Sequence, residues 1–439
     1  MVTKKHTRLD SFDSRVTQTA LSNGIRVFHI PLVNDPRFLI SVTLKAGARY
    51  EGDIHGVAHY LEHMMFRGSK RYPSFKVLAK AFERLGGEWN AATGYEHTEY
   101  YYSGHIEYWR KSVELFADFF MNPKLLDMEI EREVIKKELY RETNELNICT
   151  DLDYHMQKLF WPSTDMDRQI LGSLDSINKI KKKHLNHYRQ TFYKPENMII
   201  CVAGEESSQS LFGHLQEQFG HYKTKPTSTQ NTAQKMPSYR GPRSVWLENS
   251  DSEYQLQWSY IACKESDPIA VSLGLLCRIL ADGYFSKLGS RLRETLGLVY
   301  SIHADLNLYS THGSLDIYSS VTAKDLPKFC QELKVIIEKL VTRGPSLVDL
   351  KLAKKRALID LELSIADPER SYFKYAWSIL EGRKPSFSLL AQKISMLTQE
   401  DLHKACRKVF QAKNLGVVLM GPKNKSLEAK VSKIVCDKS

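Results

Sequence analysis

Apolar and polar positions alternate along two segments that occupy corresponding places in the two halves of the chain. The first is Phe38–Ala46 and the second is Glu253–Ala262, and both have the period of two that a half-buried β-strand shows. Each segment leads into helical patterns, the second of which ends near a Leu-Gly pair, and then into two strands rich in Tyr, His and Thr. These strand pairs predict hairpins at Glu88–Ser103 and Val299–Ser320.

Each half also closes in the same way, with a helix followed by one apolar strand and a glycine. In the first half the helix contains His187–Phe192 and the strand is Asn197–Gly204. In the second half the helix is His403–Phe410 and the strand is Asn414–Gly421. Because the elements recur in the same order after about 220 residues, the pattern predicts an internal duplication into two similar domains.

A polar segment separates these two halves. Residues Lys223–Arg243 are mostly Thr, Ser, Gln, Asn, Lys and Pro with few apolar residues, which is typical of a linker. We therefore predict a first domain at 14–222, a linker at 223–243 and a second domain at 244–439. Strands with long helices between them indicate an α+β fold, in which each domain is a mainly antiparallel sheet packed with helices.

Composition and charge exclude several classes of protein. The chain has 439 residues, of which 42% are hydrophobic and 26% charged, so it can bury a sizeable core and is not disordered. Its net charge is +11, but the basic residues form short runs and no stripe, so we expect no nucleic-acid partner. No stretch approaches the ~18 apolar residues of a membrane span, and no apolar segment follows the basic start. Seven scattered cysteines lack a C-x-x-C spacing, which favours reduced thiols in a cytoplasmic protein. We also expect no membrane partner.

One segment carries metal-binding chemistry. The sequence Gly56–Phe66 contains H-x-x-E-H, and in a helix His59 and His63 project from the same face, so both imidazoles can reach one ion. Glu62 precedes His63 and can act as a general base on a metal-bound water. The composition gives only about 0.06 expected chance matches of this motif. The pattern therefore predicts a zinc site.

A tetrahedral site needs a third protein ligand, and an acidic segment offers several candidates. A helix predicted from about Leu125 to Glu145 carries four of its glutamates within a narrow arc, and the geometry of the sequence alone does not choose among these four. Since like charges on one helix face repel each other, a cation is expected to bind there. The candidates are Glu131, Glu138, Glu142 and Glu145.

These motifs together resemble a known family. The H-x-x-E-H segment, followed by Val134–Glu138, is similar to the inverzincin metallopeptidases of the pitrilysin/insulinase family, which includes the mitochondrial processing peptidases. The interval of 138 − 59 = 79 residues is close to the interval of that family. Further segments that resemble the family are Phe66–Pro73, Gly86–Thr93, Glu96–Tyr101 and Arg293–Tyr300.

The resemblance implies roles for particular residues. It implies that Glu138 is the third metal ligand beside His59 and His63, and that Glu131 is an accessory acid. It also implies that the edge strand takes up the substrate peptide as an additional strand. The residues of that strand are Asn90, Ala91, Ala92 and Thr93.

The second half contributes a further element by the same resemblance. Arg293 and Tyr300 would hydrogen-bond the substrate backbone and the developing oxyanion. The helix that corresponds to the metal-binding helix has no ligand set at Leu275–Leu280, so we expect one zinc ion per chain.

The resulting interpretation is a zinc-dependent endopeptidase that hydrolyses peptides or unfolded polypeptide segments. The short length implies that one chain is half of a clamshell and that two chains enclose the chamber, as a homodimer or as a heterodimer with a related subunit. Two alternatives stay open. One is a catalytically silent or partner-dependent peptide-binding subunit of a heterodimeric processing peptidase. The other is a basic nucleic-acid-binding protein, which the sequence does not favour.

Overall fold

Two mixed β-sheets organise the chain, and the computed structural model describes residues 7–224 and 236–437. Residues 225–235 of the predicted linker lie outside the described residues. The strands are β1 (Thr17–Ala20), β2 (Arg26–Pro31), β3 (Arg37–Leu44), β4 (Glu88–Thr93), β5 (Thr98–His105), β6 (Met198–Gly204), β7 (Arg243–Glu248), β8 (Glu253–Ile261), β9 (Ile302–Leu308), β10 (Gly313–Thr322) and β11 (Leu415–Gly421).

Helices connect and cover these strands. They are α1 (Thr7–Arg15), α2 (Val57–Met65), α3 (Phe75–Leu85), α4 (Trp109–Met121), α5 (Met128–Arg141), α6 (Leu152–Phe160), α7 (Leu174–Lys179), α8 (Lys182–Phe192), α9 (Ser208–Phe219), α10 (Ala270–Ala281), α11 (Leu326–Arg343), α12 (Leu347–Ser364), α13 (Pro368–Leu380), α14 (Phe387–Met396), α15 (Gln399–Val409) and α16 (Lys425–Cys436). None of the helices in the described part of the chain is both long and apolar enough to cross a membrane.

The two sheets have the same strand order, which confirms the predicted duplication. The first sheet runs β1-β2-β6-β3-β5-β4 and the second runs β7-β11-β8-β10-β9. Apart from the extra edge strand β1, each strand of the first sheet has a counterpart in the second. Each sheet contains one parallel pair, β2 with β6 and β7 with β11, and its other pairs are antiparallel. The prediction of mainly antiparallel sheets packed with helices is therefore confirmed.

The compact units of the fold are not contiguous in sequence. The first contains the described residues up to 139, those of 168–224, and Leu361–Leu389. The second contains Tyr140–Asp167, 236–360 and 390–437. Helix α13, from the second half of the sequence, packs on β6 and β3 of the first sheet, and α6, from the first half, packs on β11 and β8 of the second. The predicted boundaries 14–222, 223–243 and 244–439 refer to the repeated halves of the sequence and not to these compact units, and they stay a prediction.

The acidic helix is shorter than the sequence pattern predicts. Helix α5 begins at Met128, because Leu125 and Asp127 precede it with φ angles of 49° and 54°, in the left-handed region that an α-helix does not use. It ends at Arg141, so Glu142 and Glu145 lie beyond its end. Those two residues are therefore not part of the acidic helix face.

An aromatic cluster fixes the edge of the first sheet. Phe82 of α3 is buried, and its ring stacks on that of Trp89 in β4 with a centroid distance of 4.1 Å and an interplanar angle of 17°. The rings of Phe66 and Phe119 also contact Trp89, at centroid distances of 4.8 and 5.4 Å. These contacts hold β4 against the helices that precede and follow it.

We predict that Phe82→Ala lowers the free energy of unfolding by about 3–5 kcal/mol, because it removes a buried ring and leaves a cavity. Phe75→Ala is the control on the same helix, since Phe75 is 45% exposed, and should change stability by less than about 1 kcal/mol. Urea unfolding curves measure both variants. Equal losses for the two variants would contradict the packing role of Phe82.

Candidate metal centre

Helix α2 begins at a fixed point because its first turn is capped by a buried carboxylate. Gly56, which precedes the helix, has a φ of 82°, and a Cβ there would lie 2.7 Å from the carbonyl oxygen of Leu171. Glu51 accepts hydrogen bonds from the backbone N–H groups of Gly56 and Ala58, each at 2.8 Å. These bonds satisfy donors that a helix start leaves without intrahelical partners.

The first two ligand candidates lie one turn apart on this helix. The rings of His59 and His63 have a centroid distance of 4.6 Å, and both side chains are largely buried. Helix α5 lies opposite, and the hydroxyl of Tyr60 donates a 2.6 Å hydrogen bond to the carbonyl of Met128 at the start of α5. The two helices that carry the predicted ligands are thus joined directly.

Glu138 of α5 faces both imidazoles. Its Oε2 atom lies 3.7 Å from Nε2 of His59 and 3.5 Å from Nε2 of His63. Ligand atoms bound tetrahedrally to one zinc ion at 2.0–2.1 Å lie about 3.3 Å from one another. Two imidazole nitrogens and one carboxylate oxygen are also a donor set that zinc commonly takes, so the residues present fit a zinc ion.

Glu62 lies in the same cluster. Its carboxylate and one nitrogen each of His59 and His63 lie within 4.8 Å of one another. The hydroxyl of Thr93 donates a 2.5 Å hydrogen bond to Oε2 of Glu62, and burial raises the pKa of Glu62 while this hydrogen bond lowers it. A carboxylate is therefore held beside the candidate ligands by a strand residue.

The two histidines have opposite electrostatic environments. Burial lowers the pKa of His59 to about 4, and the nearby His63 adds to this effect. Burial also acts to lower the pKa of His63, but the carboxylates of Glu131 and Glu138 outweigh it and raise that pKa to about 9. The cluster thus has an excess of negative charge around two imidazoles, which favours a cation.

Glu131 contacts the far side of His63. Its Oε2 lies 3.1 Å from Nδ1 of His63, and its Oε1 lies 3.2 Å from Nη1 of Arg67. Arg67 also pairs with Asp127 at 2.9 Å. Glu131 thus lies on the same helix as Glu138 but touches the other ring nitrogen. The sequence analysis missed Arg67, because no motif distinguishes it from any other arginine after a helix.

The predicted substrate strand is the edge strand β4. It pairs with β5 on one side, with Thr93 opposite Thr98, and the described residues contain no strand on its other side. Asn90 and Ala92 are exposed, whereas Ala91 and Thr93 are half-buried. Thr93 reaches Glu62, while the other three residues extend along the strand away from that contact.

A short buried ladder joins the turn at Ala48–Tyr50, between β3 and α2, to the β4–β5 turn. The N–H groups of Ala48 and Arg49 donate to the carbonyls of Gly94 and Tyr95 at 3.0 and 2.9 Å. The guanidinium of Arg49 forms a buried ion pair with Glu96. This ladder sets the position of Thr93 relative to Glu62, and the sequence pattern contains no signal for it.

Arg293 and Tyr300 lie in the second compact unit, close to each other. Arg293 is in a π-helical turn at Gly289–Thr295, and its guanidinium lies over the rings of Tyr284 and Tyr300 at 4.7 and 5.5 Å. Tyr300 is 87% exposed and follows Gly297, whose φ is 60°. The end of the π-helical turn and Gly297 therefore lie between the two residues.

Comparisons with known proteins agree with this geometry. Residues 32–172 match the family model described as Insulinase (Peptidase family M16), and residues 179–357 match the one described as Peptidase M16 inactive domain. An uncharacterized zinc protease of Mycobacterium leprae is 26% identical over 418 residues, which cover 93% of this chain and 92% of that protein. A probable mitochondrial-processing peptidase subunit beta of Arabidopsis thaliana is 28% identical over 279 residues, which cover 62% of this chain and 51% of that protein. The crystal structure of a protease from Helicobacter pylori has the same fold, with a TM-score of 0.86, 22% identity, and coverage of 93% and 99%.

The buried cap of α2 gives a prediction about pH. Burial raises the pKa of Glu51 to about 8, although its two N–H donors and Arg168 act to lower it. A carboxyl group whose pKa is higher in the folded chain contributes stability that is lost as the pH rises from the unfolded pKa of about 4.3 through the folded pKa. The stabilisation due to Glu51 is the free energy of unfolding of the native protein minus that of Glu51→Gln. This difference should therefore decrease as the pH rises from 5.5 to 8.5.

Urea unfolding of both proteins in a chelator, at several pH values, measures this difference. Glu83→Gln is the control, because Glu83 is an exposed glutamate on α3. The corresponding difference for Glu83→Gln should not change with pH. A constant difference for Glu51→Gln as well would show that Glu51 does not titrate in this range.

Proposed function

Because the chain belongs to the insulinase family, peptidase family M16, we propose that it is a zinc-dependent endopeptidase that hydrolyses peptides or unfolded polypeptide segments. The observation that carries the proposal is the Glu62 carboxylate in one cluster with two histidines and a second carboxylate. Such a set combines metal ligands and a general base, which is what metal-assisted hydrolysis of a peptide bond requires.

His59, His63 and Glu138 would hold one zinc ion per chain. A bound zinc ion supplies a Lewis acid that polarises the scissile carbonyl and lowers the pKa of water. The lowered pKa of His59 leaves its imidazole neutral, as a metal ligand must be. Glu131 accepts from Nδ1–H of His63 and so directs Nε2 of that ring toward Glu138, and Arg67 fixes the carboxylate of Glu131.

Glu62 is the proposed general base. Its carboxylate would take a proton from the attacking water and later give it to the leaving amine. The hydrogen bond from Thr93 occupies Oε2 and leaves Oε1 to accept that proton. Burial of Glu62 raises its pKa above the ordinary value of a glutamate, which is the direction that suits a group that must both accept and donate a proton.

The edge strand β4 is the proposed substrate-binding strand. Within Asn90, Ala91, Ala92 and Thr93, alternate residues direct their backbone N–H and C=O groups away from β5, and an extended peptide could pair with these groups as another strand. Because Thr93 at the end of the strand contacts Glu62, a peptide paired along β4 would run toward the base. This arrangement favours unfolded substrates, since only an extended backbone can pair with the edge.

Arg293 and Tyr300 are the proposed donors to the substrate backbone and to the oxyanion. Tyr300 is exposed, and Arg293 is half-buried, with Nε 3.5 Å from Oε1 of Glu294. We propose a homodimer in which these two residues serve the zinc site of the partner chain and the two chains enclose a chamber. The cytoplasmic location also stays a proposal.

A catalytically silent or partner-dependent subunit is the alternative function. It is supported by the similarity to a protein named as one subunit of a processing peptidase. In that case the purified chain would bind peptides without cleaving them, and turnover would need a related second chain.

We predict that Glu62→Gln keeps about one zinc ion per chain and loses about 10²–10⁴-fold in turnover, because it removes the base and leaves the ligands in place. His63→Ala and Glu138→Ala should lose zinc as well as activity. Zinc is measured by mass spectrometry and turnover with a library of peptides. Normal cleavage by Glu62→Gln would contradict the role of Glu62 as the general base. If the native protein cleaves none of the peptides, the result would favour the catalytically silent subunit.

We also predict that two inactive variants restore each other. After dissociation and reassociation, Glu62→Gln and Arg293→Ala chains should pair at random, so that about half of the dimers are mixed and each mixed dimer has one intact site of two. Activity should return to about a quarter of the native value. Each variant dissociated and reassociated alone is the control, and recovery no greater than theirs would contradict action in trans.

A further inference from the structure

A groove in the second compact unit is lined by none of the residues that the proposed reaction uses. It has a volume of about 490 Å³ and lies between the π-helical turn Gly289–Thr295, helix α11 and the start of α12. Val335, Ile336, Leu340 and Pro345 give it an apolar floor. Both its volume and its mixture of an apolar floor with a few polar groups are those of a small-molecule site.

Two of the cations along the groove are neutralised by carboxylates of the same unit. Lys287 pairs with Asp349 at 2.8 Å. The guanidinium of Arg291 pairs with both carboxylate oxygens of Glu332, from Nε at 2.9 Å and from Nη2 at 3.1 Å. These pairs are part of the wall and leave no carboxylate of the lining available for other cations.

Two further cations of the groove have no such partner. Lys339 and Arg343 are exposed, lie one turn apart on α11, and neither forms an ion pair with any described residue. Like charges at positions i and i+4 of a helix repel each other. An anion between the two side chains would relieve this repulsion, and a carboxylate could bind the guanidinium through two parallel hydrogen bonds.

We propose that this groove binds a small amphipathic carboxylate. Its anionic end lies between Lys339 and Arg343, and its apolar chain covers the floor formed by Val335, Ile336 and Leu340. An inorganic anion lacks the chain that would bury this floor, and a neutral alcohol lacks the charge. Both parts of the ligand are therefore needed for binding.

The groove also borders the turn that carries Arg293. Arg291 lines the groove and lies two residues before Arg293 in the same π-helical turn, and π-helical turns often occur at functional sites. A ligand that fills the groove would restrain Arg291 and thereby slow the opening of the turn. Occupancy of the groove is thus coupled to the element that carries Arg293.

Calorimetric titration of the full chain with octanoate tests the proposal without any measurement of activity. We expect saturable binding of one octanoate per chain, and at least about tenfold weaker binding of inorganic phosphate and of octanol. The double variant Lys339→Met/Arg343→Met should bind octanoate at least tenfold more weakly. Lys351→Ala is the control, because Lys351 is an exposed lysine on α12 outside the groove, and should bind as the native chain does.

Val335→Asp provides a second variant, since Val335 is 41% exposed and can be replaced without disturbing the core. It places a negative charge on the floor and should also weaken octanoate binding by at least tenfold. Hydrogen exchange of the amides of Gly289–Thr295 should slow when octanoate is bound.

Three results would overturn the proposal. They are the absence of saturable octanoate binding, equal affinity for octanoate and phosphate, and unchanged affinity in both the double variant and Val335→Asp. Unchanged exchange at Gly289–Thr295 in the octanoate complex would overturn the coupling to the turn.

Discussion

The position of helix α2 relative to strand β4 is the constraint on which the candidate metal centre depends. The base candidate Glu62 is on the helix and its hydrogen-bond partner Thr93 is on the strand, 31 residues later. The buried ladder from Arg49 to the β4–β5 turn holds the two elements in register. This register also needs a glycine at position 47, where the two backbones lie close together. A Cβ at Gly47 would lie 2.5 Å from the carbonyl oxygens of Gly94 and Tyr95. A shift of one residue in β4 would turn Thr93 away from Glu62.

Local periodicity was sufficient to predict most of the strands and the duplication. The hairpin predicted at Glu88–Ser103 is β4 and β5, and the closing apolar strand of each half is β6 or β11. The spacing within H-x-x-E-H predicted which two histidines share a face, because a regular helix fixes that geometry. The choice of Glu138 among four glutamates came only from the family resemblance, and the structure places Glu138 beside both histidines.

The contacts that the sequence did not predict join residues far apart in the chain. Arg67 on Glu131 and Arg49 on Glu96 depend on how elements pack, and no short pattern encodes that packing. The length of α5 was overestimated because its acidic period continues past Arg141, whereas left-handed residues before Met128 fix its start. The packing of α6 and α13 on sheets from the opposite half of the sequence was missed for the same reason. Periodicity shows that a helix has an apolar face but not which sheet covers it.

This exchange of helices has a consequence for the order in which the chain can fold during synthesis. Residues 7–224 contain every strand of the first sheet, yet α13, which covers β3 and β6, ends at Leu380. A nascent chain that has left the ribosome only as far as the linker therefore exposes apolar strand surface that its own residues do not bury. The first compact unit is therefore complete only after Leu361–Leu389 has been synthesised, and the interval before α13 emerges is when binding by a chaperone would protect the chain most.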